Sequence, residues 1–205
     1  MEKARATRAF IIVKSLRCIR ERYASLARPY EYNLHMPDRS NQHLTKFLIA
    51  SVSSFFIGSV HGVLQMLPPI RAWLDSIGSP YGGPGHMIDP LAHAHINLIG
   101  GVIMMAMAVT YYLLPRFTGQ EIWSRRLENV SFWMTLFGVA SFYISLLVFG
   151  FWEGELLLDQ GAESITTVHK IYVPIGALSS TIMGLGLWLF LANSAMTIIK
   201  AKRES

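Results

Sequence analysis

Four stretches of this chain are apolar around their whole circumference. Phe47–Leu67 carries one titratable side chain, His61, while Ile96–Leu114, Val130–Trp152 and Ile171–Ile199 carry no charge at all. About 20 apolar residues in a helix cross the hydrocarbon core of a bilayer. The pattern predicts an all-α membrane protein with four transmembrane helices at about 47–67, 92–114, 130–152 and 169–199. The last exceeds the bilayer core and is expected to tilt or protrude.

Between these stretches the signals are those of turns and interfaces. Pro68 to Pro90 reads as a connector, with a short interfacial helix over Ile70–Ser76 that holds Trp73 at headgroup level. The glycine-rich run Gly78–Gly85 is turn-dense and is no phosphate cradle, because no helix start with Lys-Ser/Thr follows it. Pro90 is expected to start the second helix and Pro115 to end it, with Tyr111 and Tyr112 as its aromatic belt. Upstream, residues 6–28 pattern as an amphipathic helix through Phe10, Val13, Leu16 and Ile19. The expected organisation is a basic amphipathic cytoplasmic segment at 1–45 and a four-helix transmembrane domain at 46–200.

Charge fixes the expected orientation. Ten Lys and Arg residues, Lys3 to Lys46, precede the first span; Arg116, Arg125 and Arg126 fill the second connector; Lys200, Lys202 and Arg203 end the chain. The other two connectors hold only Arg71 and Lys170 against Asp75, Asp89, Glu153, Glu155, Asp159 and Glu163. The positive-inside rule then puts both termini in the cytoplasm. The net charge of +5 is thus a topology signal and does not point to nucleic acid. With 52% hydrophobic and 15% charged residues the chain is no ordinary soluble domain. No cleavable leader is expected, since the first apolar run lies behind a long basic segment. The lone Cys18 falls on the reducing side and forms no internal disulfide.

The candidate chemistry is histidine. His61 falls in the last third of the first span, His93 and His95 in the first turns of the second, and His169 at the opening of the fourth, so all four are expected at one depth. Histidine within a membrane is expensive and usually has a task. Residues two apart on a helix are rotated by about 200°, so His93 and His95 face nearly opposite ways. A helix of this kind holds one ligand on each side, and haem iron suits imidazole in an apolar setting. Zinc fits less well, because a tetrahedral site wants converging imidazoles.

Ala92-His93-Ala94-His95-Ile96-Asn97-Leu98-Ile99-Gly100, followed by Tyr111-Tyr112-Leu113-Leu114-Pro115-Arg116, resembles subunit I of the haem–copper oxidase superfamily, above all the C-family oxidases and the nitric oxide reductase large subunit. There the second helix carries a low-spin haem ligand in a His-x-Asn-Leu-Leu context and a Tyr-Tyr-Leu-x-Pro end. His95, Asn97 and the Tyr111–Pro115 tail match that pattern. Phe132-Trp133, Gly138, Tyr143, Gly150 and Glu153-Gly154 resemble the family's third helix, and His61-Gly62-Val63 resembles a haem-ligand helix of some oxidases in another register. The resemblance covers roughly residues 45–195. It implies a bacterial or archaeal inner-membrane protein with His95 as a ligand of haem b iron, and the chain's own His-x-His spacing adds His93 as the second candidate ligand.

The family's subunit I has several times as many helices, in three pseudo-symmetric arcs, and this chain shows one arc. The copper-ligand helix with its several histidines is not in it, so copper is not expected. The expectation is a homo-oligomer, most simply a trimer, in which haem sits between His95 of one copy and His93 of the next. Asn97, Gly100 and Gly101 would line that site, with the glycines admitting the macrocycle or a neighbouring helix. A rival arrangement pairs His95 with His61 or His169 inside one bundle.

The function implied is electron transfer in a respiratory chain, with quinol or an external cytochrome c as partner. The acidic third connector, Glu153 to Glu163, suits a basic cytochrome face. Two other readings stand beside it: a non-redox structural subunit among other respiratory subunits, and an O2 or NO reductase assembled by oligomerisation.

Overall fold

The computed structural model describes residues 39–204, so the amphipathic helix expected at 6–28 lies outside the described residues. Among these no strand forms, and a 3-10 helix (Arg39–Leu44) leads into α1 (Thr45–Met66), α2 (Pro68–Ser76), α3 (Gly83–Thr118), α4 (Arg125–Gln160) and α5 (Ala162–Glu204). Four of them, α1, α3, α4 and α5, are long and apolar enough to cross a membrane. The chain is an all-helical integral membrane protein. The end of the bundle where α1 begins and α5 finishes is called the terminal end below, and the other the distal end.

Small residues draw α1 and α3 together. The inner stripe of α1 is Phe47, Ala50, Ser51, Ser54, Gly58 and His61. A Cβ on Gly58 would lie 2.2 Å from Asn97 Oδ1, and one on Gly100 would lie 2.5 Å from Ser54 Oγ. Ser51 Oγ donates to the Gly101 carbonyl at 2.8 Å. Lipid offers no hydrophobic drive between helices, so close backbone approach and such bonds hold the seam. Gly138 of α4 against Met183, and Gly186 of α5 against Thr135, repeat the device in the other half.

Two expectations about helix ends are corrected. The second span keeps its expected helical start at Pro90, because Asp89 (φ −128°, ψ 113°), as the residue before proline, lies outside the helical region and breaks it from a short lead-in that begins at Gly83. The span runs past Pro115, however, to Thr118, where Gly119 (φ 67°) caps it. Proline removes a single bond there, and Arg116 and Thr118 fold their side chains onto the carbonyls of Tyr112 and Leu114. The third connector is not a loop: α4 has 36 residues and α5 has 43, separated only by Gly161 (φ 83°). A helix of 36 residues is roughly 54 Å long, well beyond a hydrocarbon core of about 30 Å. Charged residues such as Glu155 and Asp159 mark where a helix leaves lipid, not where it stops.

The aromatic belt is also corrected in part. Tyr112 is exposed, but Tyr111 is 2% exposed and packs edge-on against Phe47 and Phe190. It belongs to a terminal-end core with Met104, Met107, Ile122 and Phe132, while Met87, Ala92, Leu146, Phe149 and Val168 form a second core distally. Over the distal end, α2 is clasped by Arg71, whose Nη1 donates to Asp89 Oδ2 at 2.6 Å and which also pairs with Asp75. The bonds to Asp75 and then Asp89 push the Arg71 guanidinium pKa further up.

Candidate functional site

α3 presents its two histidines to different neighbours, as their spacing requires. His93 faces α1: its ring centroid is 5.5 Å from that of His61, and a Cβ on Gly62 would lie 2.7 Å from its Cε1. His61 is 9% exposed and its Nδ1 lies 3.3 Å from the Tyr143 hydroxyl of α4. His95 faces α4, with its ring edge-on to Phe142 at 4.8 Å. Between them Asn97 wedges onto Gly58 and donates Nδ2–H to the His93 carbonyl at 2.9 Å. From Ile96 to Ile103 the hydrogen bonds of α3 widen to π-helical spacing, a feature often found at functional sites.

Two ring nitrogens here point to a ligand. The His95 Nδ1–H donates to the Leu91 carbonyl at 2.8 Å; a carbonyl only accepts, so the lone pair resides on Nε2. A metal-binding imidazole is oriented in this way, by a bond on its other nitrogen. The His93 Nδ1 is buried and has no hydrogen-bond partner. The donor set thus fits a haem iron. Gly100 and Gly101 are occupied by Ser54 and Phe55 of α1, so they serve helix approach.

His169 does not join this group. It sits beside Glu153, whereas His61 and His95 sit beside Tyr143 and Phe142. Eleven residues of α4 separate Phe142 from Glu153, a rise of about 16 Å. The single depth expected for four histidines therefore holds for three. Glu153 also departs from the expected solvated acidic connector: it is 2% exposed and takes a hydrogen bond from His169 Nδ1 at 3.1 Å. Glu155 accepts from Trp73 Nε1 at 2.9 Å. The Glu153–His169 pair was missed from sequence, yet a signal existed, since both lie eight residues from the tip glycine, Gly161.

A cavity of about 400 Å³ opens beside the cluster between α1, α2 and α4. Its walls are apolar apart from His61, Gln65, Trp73 and Tyr143, and Gln65 Oε1 is buried with no partner. Among the described residues no three His, Cys, Asp or Glu side chains gather as a cage for a metal ion.

An all-helical membrane bundle with paired imidazoles on its second span defines a class, that of membrane proteins related to respiratory oxidases. Residues 37–158 match the family model described as cytochrome c and quinol oxidase polypeptide I. The chain belongs to that family, within the haem–copper oxidase subunit I superfamily, and is a protein of the inner (cytoplasmic) membrane. It is 23% identical over 170 residues to the Cbb3-type cytochrome c oxidase subunit CcoN1 of Stutzerimonas stutzeri, covering 78% of this chain and 33% of the relative. It is 26% identical over 144 residues to cytochrome c oxidase polypeptide 1 of Halobacterium salinarum (70% and 22%) and 26% identical over 142 residues to cytochrome bo(3) ubiquinol oxidase subunit 1 of Buchnera aphidicola (68% and 19%). The chain thus spans a third or less of the length of these relatives. No solved structure matches it.

Proposed function

We propose that this chain is a haem b electron-transfer module of a respiratory membrane assembly, oriented with its distal end outside, and that it works as a homo-oligomer. The observation that carries the reading is the His95–Leu91 hydrogen bond, which leaves Nε2 free as an axial ligand in an apolar setting. Bound there, haem supplies one-electron Fe(III)/Fe(II) chemistry.

His95 has Phe142 as its ring neighbour, and His61 packs on His93 instead. The rival pairing of His95 with His61 or His169 inside one bundle therefore finds no support. We assign the second axial imidazole to His93 of a neighbouring copy. Histidines on opposite sides of one helix make a heterologous contact, which closes as a ring, most simply a trimer. His93 would leave its seat on Gly62 to make that bond. Quinol is the donor we favour, because the cavity beside His61 combines apolar walls with an unpaired Gln65 acceptor.

Electron paramagnetic resonance of the oxidised, detergent-purified protein tests this. A low-spin ferric signal is the predicted result. Iron that is entirely high-spin favours an O2 or NO reductase, and a protein without haem favours a structural subunit.

A further inference from the structure

A groove of about 430 Å³ opens between α1 and α4, with Ile96 of α3 completing its wall. Small side chains make the room: Ala50, Ser53 and Ser54 on α1 and Ala140 on α4. Ile49 and Trp133, which also line it, are 62% and 56% exposed, so the groove opens sideways to lipid. Eleven residues of α1 separate Lys46 from Ile57, the two ends of its lining on that helix, a rise of about 16 Å. One leaflet is half of a hydrocarbon core of about 30 Å. The groove is therefore one leaflet deep.

Its terminal end is charged. Lys46 Nζ donates to Asn129 Oδ1 at 2.7 Å and lies 5.4 and 5.0 Å from the Phe47 and Phe132 ring centroids, which fixes the ammonium at the mouth. Arg126 is exposed one turn before Asn129, on the same face of α4. Glu128 is buried beside His43 at 3.1 Å and accepts from Arg125 at 3.1 Å, so its carboxylate is engaged by those partners. Trp133 puts an indole at the same headgroup level.

An apolar trough that ends on an ammonium matches a molecule with an acyl chain and an anionic head. We propose that this groove binds an anionic phospholipid of the terminal-end leaflet, with its phosphate on Lys46 and an acyl chain along Ala50, Ser53 and Ala140. A second copy of the chain would bring an apolar helix face, which offers Lys46 no anion. A zwitterionic lipid would bring its own cation up to Arg126. The site is independent of the haem reading, since none of its groups belongs to the histidine cluster.

The test is tryptophan quenching of the full chain in phosphatidylcholine nanodiscs that contain a minor share of brominated lipid. The Trp133 signal is taken, in each background, as the difference made by Trp133→Phe. Brominated phosphatidylglycerol is expected to quench that signal more than brominated phosphatidylcholine at the same share. Lys46→Gln should cut this preference about fivefold, the weight of one basic side chain at a membrane surface, and Lys46→Arg should keep it. Ser53→Leu fills the groove, leaves every charge in place and should abolish the preference. A preference that survives Ser53→Leu overturns the site, because it reports charge attraction without a seat. Equal quenching by the two lipids also overturns it, and quenching by neither overturns it in favour of a groove covered by protein.

Discussion

The two ends of the bundle use buried polar groups in opposite ways. At the terminal end they satisfy one another: Asn193 Nδ2 donates to the Tyr111 hydroxyl and the Ser124 carbonyl, and its Oδ1 accepts from the Ser124 N–H at 3.0 Å. Thr197 Oγ1 accepts from Trp123 N–H and donates to the Asn193 carbonyl. This network pins the 119–124 turn onto α5. At the distal end His93 Nδ1 and Gln65 Oε1 are buried without partners, and the free nitrogen of His95 points away from its one bond. Unsatisfied buried groups are costly, so a site that keeps several is built for something that arrives later. The hydroxyls of Thr135 and Ser194 also lack partners, but each is a single rotor in a helix seam.

The contrast can be broken from its satisfied side first. Asn193→Ala leaves the Ser124 N–H unpaired and removes the bonds to the Ser124 carbonyl and the Tyr111 hydroxyl, and is expected to cost about 3 kcal/mol. Thermal unfolding in detergent should show the loss while haem content stays unchanged; a fall in haem content would mean that the two ends are not separable.

The next largest effect is expected in the seam between α1 and α3. Gly58→Ala sets a methyl 2.2 Å from the Asn97 side chain, so Asn97 must rotate off the His93 carbonyl. Overpacking of this kind costs roughly 1–3 kcal/mol. It should lower both thermal stability and haem affinity, because Asn97 and His93 share that carbonyl bond.

The smallest effect belongs to the distal clasp. Arg71→Gln breaks partly exposed pairs with Asp75 and Asp89 and is expected to cost about 1 kcal/mol or less. Because those pairs raise the Arg71 pKa, its contribution is complete below the ordinary arginine value and is lost only at strongly alkaline pH. The difference in melting temperature between wild type and Arg71→Gln should therefore show no arginine titration between pH 6 and 9.

Hydropathy made the four spans and the facing of His93 and His95 legible, since both depend only on local composition and helical rotation. It misplaced the ends of α4 and α5, because Glu155, Leu158 and Asp159 are acceptable in a helix whether or not lipid surrounds it. It also took Glu153 for a solvent charge. The carboxylate's partner, His169, arrives from another helix, sixteen residues along the chain. Tyr111 was read as a belt residue for the same reason: its partner Asn193 lies 82 residues away.

Haem binding by this bundle rests most directly on His95. His95→Gly protein should lose the low-spin α band from its reduced-minus-oxidised spectrum and regain it when imidazole is added, while its melting temperature remains near that of wild type. A His95→Gly protein that retains the full low-spin band would contradict the claim that this residue holds the iron.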